Sequence, residues 1–296
     1  MTNWEEIRTA YQVARIGTVS GAAEALGIHH ATVIRHIDSL ETSIGTKLFQ
    51  RHARGYTPTE AGSDLLKVAQ GANDQFAQLV SRIKGQGDAI EGELVVTSLS
   101  SLSPFVTPSL TRFGARHPNL VTRFLTDERV YRLEYGEAHV AIRAGPAPRE
   151  PDYVAQAFGT ELFGLYASND YVERRGLPSD DDDLAGHLFV AHDDPKNRAP
   201  FHRWLSDTVP RDRQVFRGTE DRVMRDAIVA GAGLGFLPVF QAEKMSGVVL
   251  VAQPRPEWSV PIWLVTHVDL HRTMKVQAFL TFLKSEAANW SGFQPV

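Results

Sequence analysis

Seven apolar positions in an otherwise polar stretch constrain this chain most. Ala61, Leu65, Val68, Ala72, Phe76, Leu79 and Ile83 are spaced by 4, 3, 4, 4, 3 and 4 residues, the interval that lines one face of an α-helix. Thr59 followed by Glu60 is a good N-cap. The spacing therefore predicts one helix from residue 59 to about 84, roughly 38 Å long. Such a stripe, following a small domain, has little core of its own to meet. It pairs with a second copy of the chain or packs on the C-terminal part of its own. Gly85-Gln86-Gly87 and Glu91-Gly92 mark a linker after it.

Ahead of that helix the chain reads as short helices with tight breaks. Ile7, Tyr11 and Ala14 recur at helical spacing and Gly17 stops the first helix. Ser20 is expected to cap a second helix over 21–26, ended by Gly27. A third runs from residue 29 or 30 to about 44, with Val33, Ile37, Leu40 and Ile44 as its buried stripe and Gly45 as its stop. Lys47 to Arg51 and Gly55 to Pro58 then suit a two-stranded wing around an Arg54-Gly55 turn.

From residue 93 the pattern alternates. Strands are expected near 94–96, 121–125, 139–143, 162–167, 187–191, 248–251 and 262–265. Helices are expected near 104–116, 170–175, 199–207, 220–230 and 273–288. Strand–helix alternation argues an α/β sheet covered on both faces, and some 200 residues with separate apolar sets argue two lobes.

Several classes are excluded. The chain has no cysteine, which removes disulfides, thiol catalysis, cysteine zinc sites and iron–sulfur clusters. Its first ten residues are acidic and amphipathic, unlike a secretory signal. The longest uncharged run, 227–240, is too short to span a bilayer, which needs about 20 residues. A cytoplasmic, membrane-free protein is expected. His29 and His36 lie seven apart on one face, but no carboxylate completes a metal set, and Asp180 to Asp183 reads as a solvated loop. Nucleophile-elbow, zinc-protease and phosphate-loop motifs are absent. No enzyme, catalytic residue, metal or cofactor is expected.

The net charge is −4, so a nucleic-acid partner must be argued locally. Between His29 and Pro58 stand four Lys or Arg (Arg35, Lys47, Arg51, Arg54), two acids (Asp38, Glu41) and four histidines. With Val33, Ile37 and Leu40 turned inward, His30, Thr32, Arg35 and His36 are expected to face outward. A helix, a tight turn and a second helix with polar and basic residues on its outer face is the shape that enters a major groove.

The letters go further. Gly17-Thr18-Val19-Ser20, Ala22-Ala23-Glu24-Ala25-Leu26-Gly27, Thr32-Val33, Arg35, Ile37, Leu40-Glu41, Gly45, Leu48-Phe49, Arg51 and Thr57-Pro58-Thr59-Glu60-Ala61-Gly62 resemble, almost position for position, the winged helix–turn–helix of the LysR-type bacterial transcriptional regulators. Phe113 with His117-Pro118, and Val229 through Pro238, resemble that family's effector-binding domain more weakly. His29-His30-Ala31 and Ile34 stand where the family has a Ser-Gln-Ser entry and a serine. Its base and phosphate contacts therefore carry over to Arg35, Thr32 and Arg51. Arg54 suits phosphate or the minor groove, His30 and His36 can meet base edges, and Thr18 and Ser20 serve as caps or phosphate donors.

The resemblance implies an α plus α/β chain: a winged helix–turn–helix over 1–58, a linker and dimerisation helix over 59–92, and a two-lobed, periplasmic-binding-protein-like effector domain over 93–296. Lobe one is expected over 93–162 and 267–296, and lobe two over 163–266. Its partners would be double-stranded DNA, a second copy of itself in a dimer or tetramer, and a small metabolite between the lobes. An anionic metabolite is expected, because the serine-rich turn 98–103 precedes a helix N-terminus. Ser100, Ser101, Arg129, Arg143, His192 and Thr219 are its candidate contacts. A solute-binding protein, or a regulator whose C-terminal half only assembles subunits, are the alternatives.

Overall fold

Three glycines cut the first 45 residues into helices. The chain runs α1 (Trp4–Ile16), α2 (Val19–Leu26) and α3 (His30–Ile44), ended by Gly17, Gly27 and Gly45 in the left-handed conformation. This is a computed structural model that describes residues 3–52, 55–83, 90–126, 130–179 and 183–296. The second helix begins earlier than expected because Thr18, not Ser20, is its cap. The Thr18 hydroxyl accepts the N–H of Gly21 at 3.2 Å. Val13, Ala22, Val33, Ile37 and Leu40 are fully buried and make one small core with Leu48 and Phe49.

The wing pairs β1 (Phe49–His52) with β2 (Gly55–Pro58), antiparallel, Phe49 opposite Pro58. The long helix α4 (Glu60–Ile83) follows, capped by Thr59, whose hydroxyl accepts the N–H of Gly62 at 3.2 Å. The linker glycines at 85 and 87 lie outside the described residues. Of the predicted stripe of α4, Ala61 and Leu65 pack on the winged core, while Val68 and Phe76 are 63% and 53% exposed, Phe76 meeting the Trp4 ring edge-on at 5.3 Å; the side chains of Leu79 and Ile83 lie outside the described residues.

α4 docks closely on the wing at Gly62, where a Cβ would lie 2.0 Å from the Leu48 carbonyl oxygen. Alanine there gains about 1 kcal/mol of helix propensity and loses about 3 kcal/mol to forced overpacking against backbone. Gly62→Ala is therefore expected to destabilise the winged domain by about 2 kcal/mol, read as a lower urea midpoint. An unchanged midpoint would contradict this docking.

The remaining chain forms β3 (Gly92–Ser98), α5 (Ser103–Arg116), β4 (Leu120–Thr126), β5 (Val140–Ala144), β6 (Tyr153–Glu161), β7 (Phe163–Ser168), α6 (Asn169–Arg175) and β8 (Phe189–His192). It continues with α7 (Pro200–Thr208), β9 (Gln214–Gly218), α8 (Asp221–Val229), β10 (Gly235–Pro238), α9 (Val239–Ala242) and β11 (Val248–Ala252). It ends with β12 (Val260–His267), α10 (Val268–His271), α11 (Met274–Ala287) and β13 (Phe293–Pro295).

Among the described residues one sheet has the strand order β13-β6-β12-β5-β3-β4. β3 lies parallel to β4 and β5, while β12 runs antiparallel to β5 and β6. A second group places β7 between β10 and β11, beside the parallel pair β8 and β9. β6 leads into this second group and β12 returns from it, side by side, with Glu161 opposite Val260.

That register corrects one boundary. Residues 260–266 were expected in the second lobe, yet β12 belongs to the first sheet. Alternation of residue types identifies a strand but not the sheet that receives it. Apolar packing is continuous across both groups, from Leu94, Phe105 and Phe113 to Phe163, Phe201 and Trp258.

Candidate DNA interface and inter-lobe site

α3 owes its orientation to its inward stripe. Val33, Ile37 and Leu40 are fully buried, and three such residues in one stripe fix which side of the helix faces out. Arg35 and Ala31 are exposed on that outer side, with His30 exposed at the first turn and Thr32 half-buried beside it. Among the described residues Arg35 has no ion-pair partner, so its fork of donors is open to a bidentate acceptor.

His36 does not join this face. It turns towards α1, where its Nδ1 meets the hydroxyl of buried Thr9 at 2.9 Å. The seven-residue interval from His29 does not bring the two rings to one surface, because α1 covers the flank on which His36 lies. Ser39 on the same flank donates to Glu6 of α1 at 2.8 Å.

Arg51 is also engaged inside the domain. Its Nη2 lies 2.5 Å from Asp38 Oδ1 and 3.2 Å from Glu41 Oε2, and its guanidinium stands over the Tyr56 ring. It braces the wing against α3, and a phosphate must compete for it with two carboxylates. Arg54 lies outside the described residues. Thr18 is occupied as a cap, while Ser20 is exposed in the first turn of α2.

The residue that organises this region is Glu41, which the sequence reading counted as a negative charge and a matching position but gave no role. Its side chain is 2% exposed. It accepts hydrogen bonds from the backbone N–H groups of Leu48 and Phe49, at 2.9 and 3.2 Å, and from Lys47 Nζ at 2.6 Å. Burial raises the carboxyl's pKa, but the bonds from Lys47, Leu48 and Phe49 outweigh it and hold the group below its ordinary value. One carboxylate thus joins the reading helix to the wing.

Between the two strand groups lies a cavity of about 30 Å³. Ser101 lines it from the short 3₁₀ turn Ser100–Leu102, and Phe163, Phe201, His202, Asp221, Arg225 and Phe236 are among those lining it from the second group. Of the expected effector contacts, Ser101 lines this cavity. His192 stands behind the lining, its ring centroid 5.1 Å from that of His202. Ser100, Arg143 and Thr219 are not in the lining, and Arg129 lies outside the described residues.

Arg143 is held elsewhere. It donates to the Tyr131 carbonyl at 3.2 Å, lies 3.5 Å from Glu150 and stands over the Tyr153 ring. His139, where the resembled family more often has aspartate, is buried in the first sheet and accepts the N–H of Val95 at 2.9 Å.

The sequence reading missed His202, Asp221 and Glu161. The signal for Glu161 was present: it is the one acid in the run Ala157 to Tyr166, yet it is only 3% exposed. Burial, then the charge of Asp221, pushes its carboxyl up to about 8. Burial and neighbouring His192 hold His202 down to about 3.

An arginine-bearing helix set beside a wing is the shape of a DNA-binding module, and two strand groups with a small, mostly apolar-lined cavity follow it. Residues 4–63 match the bacterial regulatory helix-turn-helix protein family of lysR type, and residues 87–288 match the LysR substrate binding domain. The regulator CrgA of Neisseria meningitidis is 24% identical over 97% of this chain and 98% of its own length. CbbR of Sinorhizobium medicae is 26% identical over 96% of this chain and 93% of its own. Of solved structures, a full-length OxyR variant from Pseudomonas aeruginosa aligns over 100% of this chain and 98% of its own, with a TM-score of 0.72 at 16% identity. The CrgA structure aligns with a TM-score of 0.58 at 22% identity, over 97% of this chain and 99% of its own. The structural likenesses are of fold.

The chain belongs to the LysR family. It is a DNA-binding transcriptional regulator with an effector-binding domain, not an enzyme. No helix among the described residues is long and apolar enough to cross a membrane.

Proposed function

We propose that α3 lies in the major groove with Arg35 at the base edges, His30 and Thr32 beside it, and Ser20 and the wing against the phosphates. Arg51 and Arg54 add to the phosphate contacts. The observation that carries this reading is the exposed Arg35 opposite a fully buried stripe. Two such helices are supplied by a dimer or tetramer, so the target holds paired half-sites about one helical turn, or a multiple of it, apart. A footprint on DNA from upstream of this protein's own gene is expected to show two protected patches in that relation. A single patch, or uniform weak protection, would contradict it.

α4 supplies the pairing. Val68 and Phe76, exposed on one chain although the Phe76 ring meets that of Trp4 at 5.3 Å, are the part of the described stripe offered to a partner helix. Val68→Glu with Phe76→Glu is expected to shift sedimentation from oligomer towards monomer and to lower DNA affinity at least tenfold. An unchanged sedimentation coefficient would place the interface elsewhere.

The effector is a small molecule bound between the lobes, in a protein of the cytoplasm that needs no resident cofactor. Bound effector shifts the lobe and subunit arrangement by its differential affinity for two states, and the half-site geometry follows.

A further inference from the structure

The inward stripe of α3 has an outward counterpart. Ala31, Arg35, Asp38 and Thr42 are all exposed and stand 4, 3 and 4 residues apart, so they line one side of the helix. The second half of that side is already engaged within the domain. The Thr42 hydroxyl donates to the Asp38 carbonyl at 2.6 Å, and the Asp38 carboxylate holds Arg51 at 2.5 Å. That carboxylate also repels phosphate. The first half, Ala31 and Arg35, is open, as fits a reading helix that meets base edges through its N-terminal residues.

Arg35 brings a charge and five donors, whereas Ala31 brings a methyl group alone. That methyl neither donates nor accepts a hydrogen bond. Set against a base-edge donor or acceptor, it would displace water and return nothing, which costs binding. One base edge rewards it. In the major groove thymine carries a C5 methyl, the apolar group on which an alanine side chain packs. Burying the two methyls against each other removes apolar surface from water, which favours the complex.

The spacing adds a register. Four residues advance an α-helix by about 6 Å, and two base steps advance the duplex by about 7 Å. A helix running along the groove therefore sets the base beneath Ala31 about two pairs from the base beneath Arg35. The Arg35 fork matches guanine O6 and N7.

We propose that Ala31 is a specificity-determining residue, its methyl packed on the C5 methyl of a thymine about two base pairs from the guanine that Arg35 reads. The inference rests on the reading that α3 lies in the major groove.

The test begins with the full-length protein selecting tight-binding duplexes from a random pool. The selected half-sites are expected to hold a G·C pair with a T·A pair about two steps away. Each half-site thymine is then replaced in turn by deoxyuridine, which deletes the methyl and leaves base pairing unchanged. At the proposed position this is expected to weaken wild type about fourfold for each half-site altered, the worth of one buried methyl group. Ala31→Gly is expected to keep the circular dichroism of wild type and to lose about fourfold per half-site on the thymine duplex. It is expected to bind the thymine and deoxyuridine duplexes equally.

A wild-type affinity that no deoxyuridine changes overturns the proposal and leaves the guanine contact standing. A deoxyuridine penalty that persists in Ala31→Gly also overturns it, because another side chain, such as that of Thr32, then meets the methyl. Selection that returns the guanine without a thymine at that distance does the same. Selection that returns no preferred sequence overturns the reading of α3 as well.

Discussion

Replacing Glu41 with alanine is expected to remove about 3–5 kcal/mol from the winged domain, the cost of breaking a buried, hydrogen-bonded charge network. The N–H groups of Leu48 and Phe49 lose their acceptor, and Lys47 and Arg51 lose a counter-charge. A domain of some 60 residues has about 3–9 kcal/mol in all, so the loss leaves it at or near unfolding. Urea denaturation followed by circular dichroism measures this. A loss under about 1 kcal/mol, the scale of one ordinary hydrogen bond, would contradict the assignment.

The same carboxylate gives the domain an acid limit. Its native pKa lies below the ordinary 4.5, so the stability it contributes is fully present above 4.5 and is lost as the pH falls through the depressed native value. Wild type is therefore expected to lose urea resistance below about pH 4.5 more steeply than Glu41→Gln.

Replacing Arg35 with alanine is expected to leave folding intact and weaken binding to the specific site by about 1–3 kcal/mol, roughly 5- to 150-fold, while leaving affinity for unrelated DNA nearly unchanged. Arg35 is exposed and contributes nothing to the buried stripe of α3. Arg51→Ala differs in kind. Arg51 braces the wing through Asp38 and Glu41, so its loss is expected to lower stability and affinity for all DNA together. The two variants separate a residue that reads bases from one that holds the reading helix in place.

Much of this was legible in the sequence, and the parts that were not share a cause. Periodicity at Val33, Ile37 and Leu40, and glycines at 17, 27 and 45, locate three helices because both signals are local. β6 was missed because Gly159 and the polar residues Gln156 and Thr160 break its alternation. β10, bounded by Gly235 and Pro238, reads as a turn. The return strand β12 was visible, but its membership in the first sheet depends on pairing with β5 and β6, which no local pattern encodes.

The sites divide in the same way. Arg35 follows from helical geometry alone. The engagement of His36 by Thr9, of Arg51 by Asp38 and Glu41, and of Arg143 by Tyr131 and Glu150 depends on residues brought together by the fold. His202 and Asp221 are far apart in sequence and line one cavity only because α7 and α8 meet there. Ser101 was singled out by the family resemblance, within a serine-rich turn whose place between a strand and a helix the sequence does reveal.

The central claim is that α3 reads sequence through Arg35, and fluorescence anisotropy tests it most directly. The titration compares DNA from upstream of the protein's own gene with a shuffled duplex, for wild type and Arg35→Ala, at two salt concentrations. Wild type is predicted to bind the first duplex far more tightly than the second and to weaken on both as salt rises. In Arg35→Ala the gap between the duplexes is predicted to shrink while the salt dependence stays. Equal affinities of both proteins for both duplexes would contradict the account.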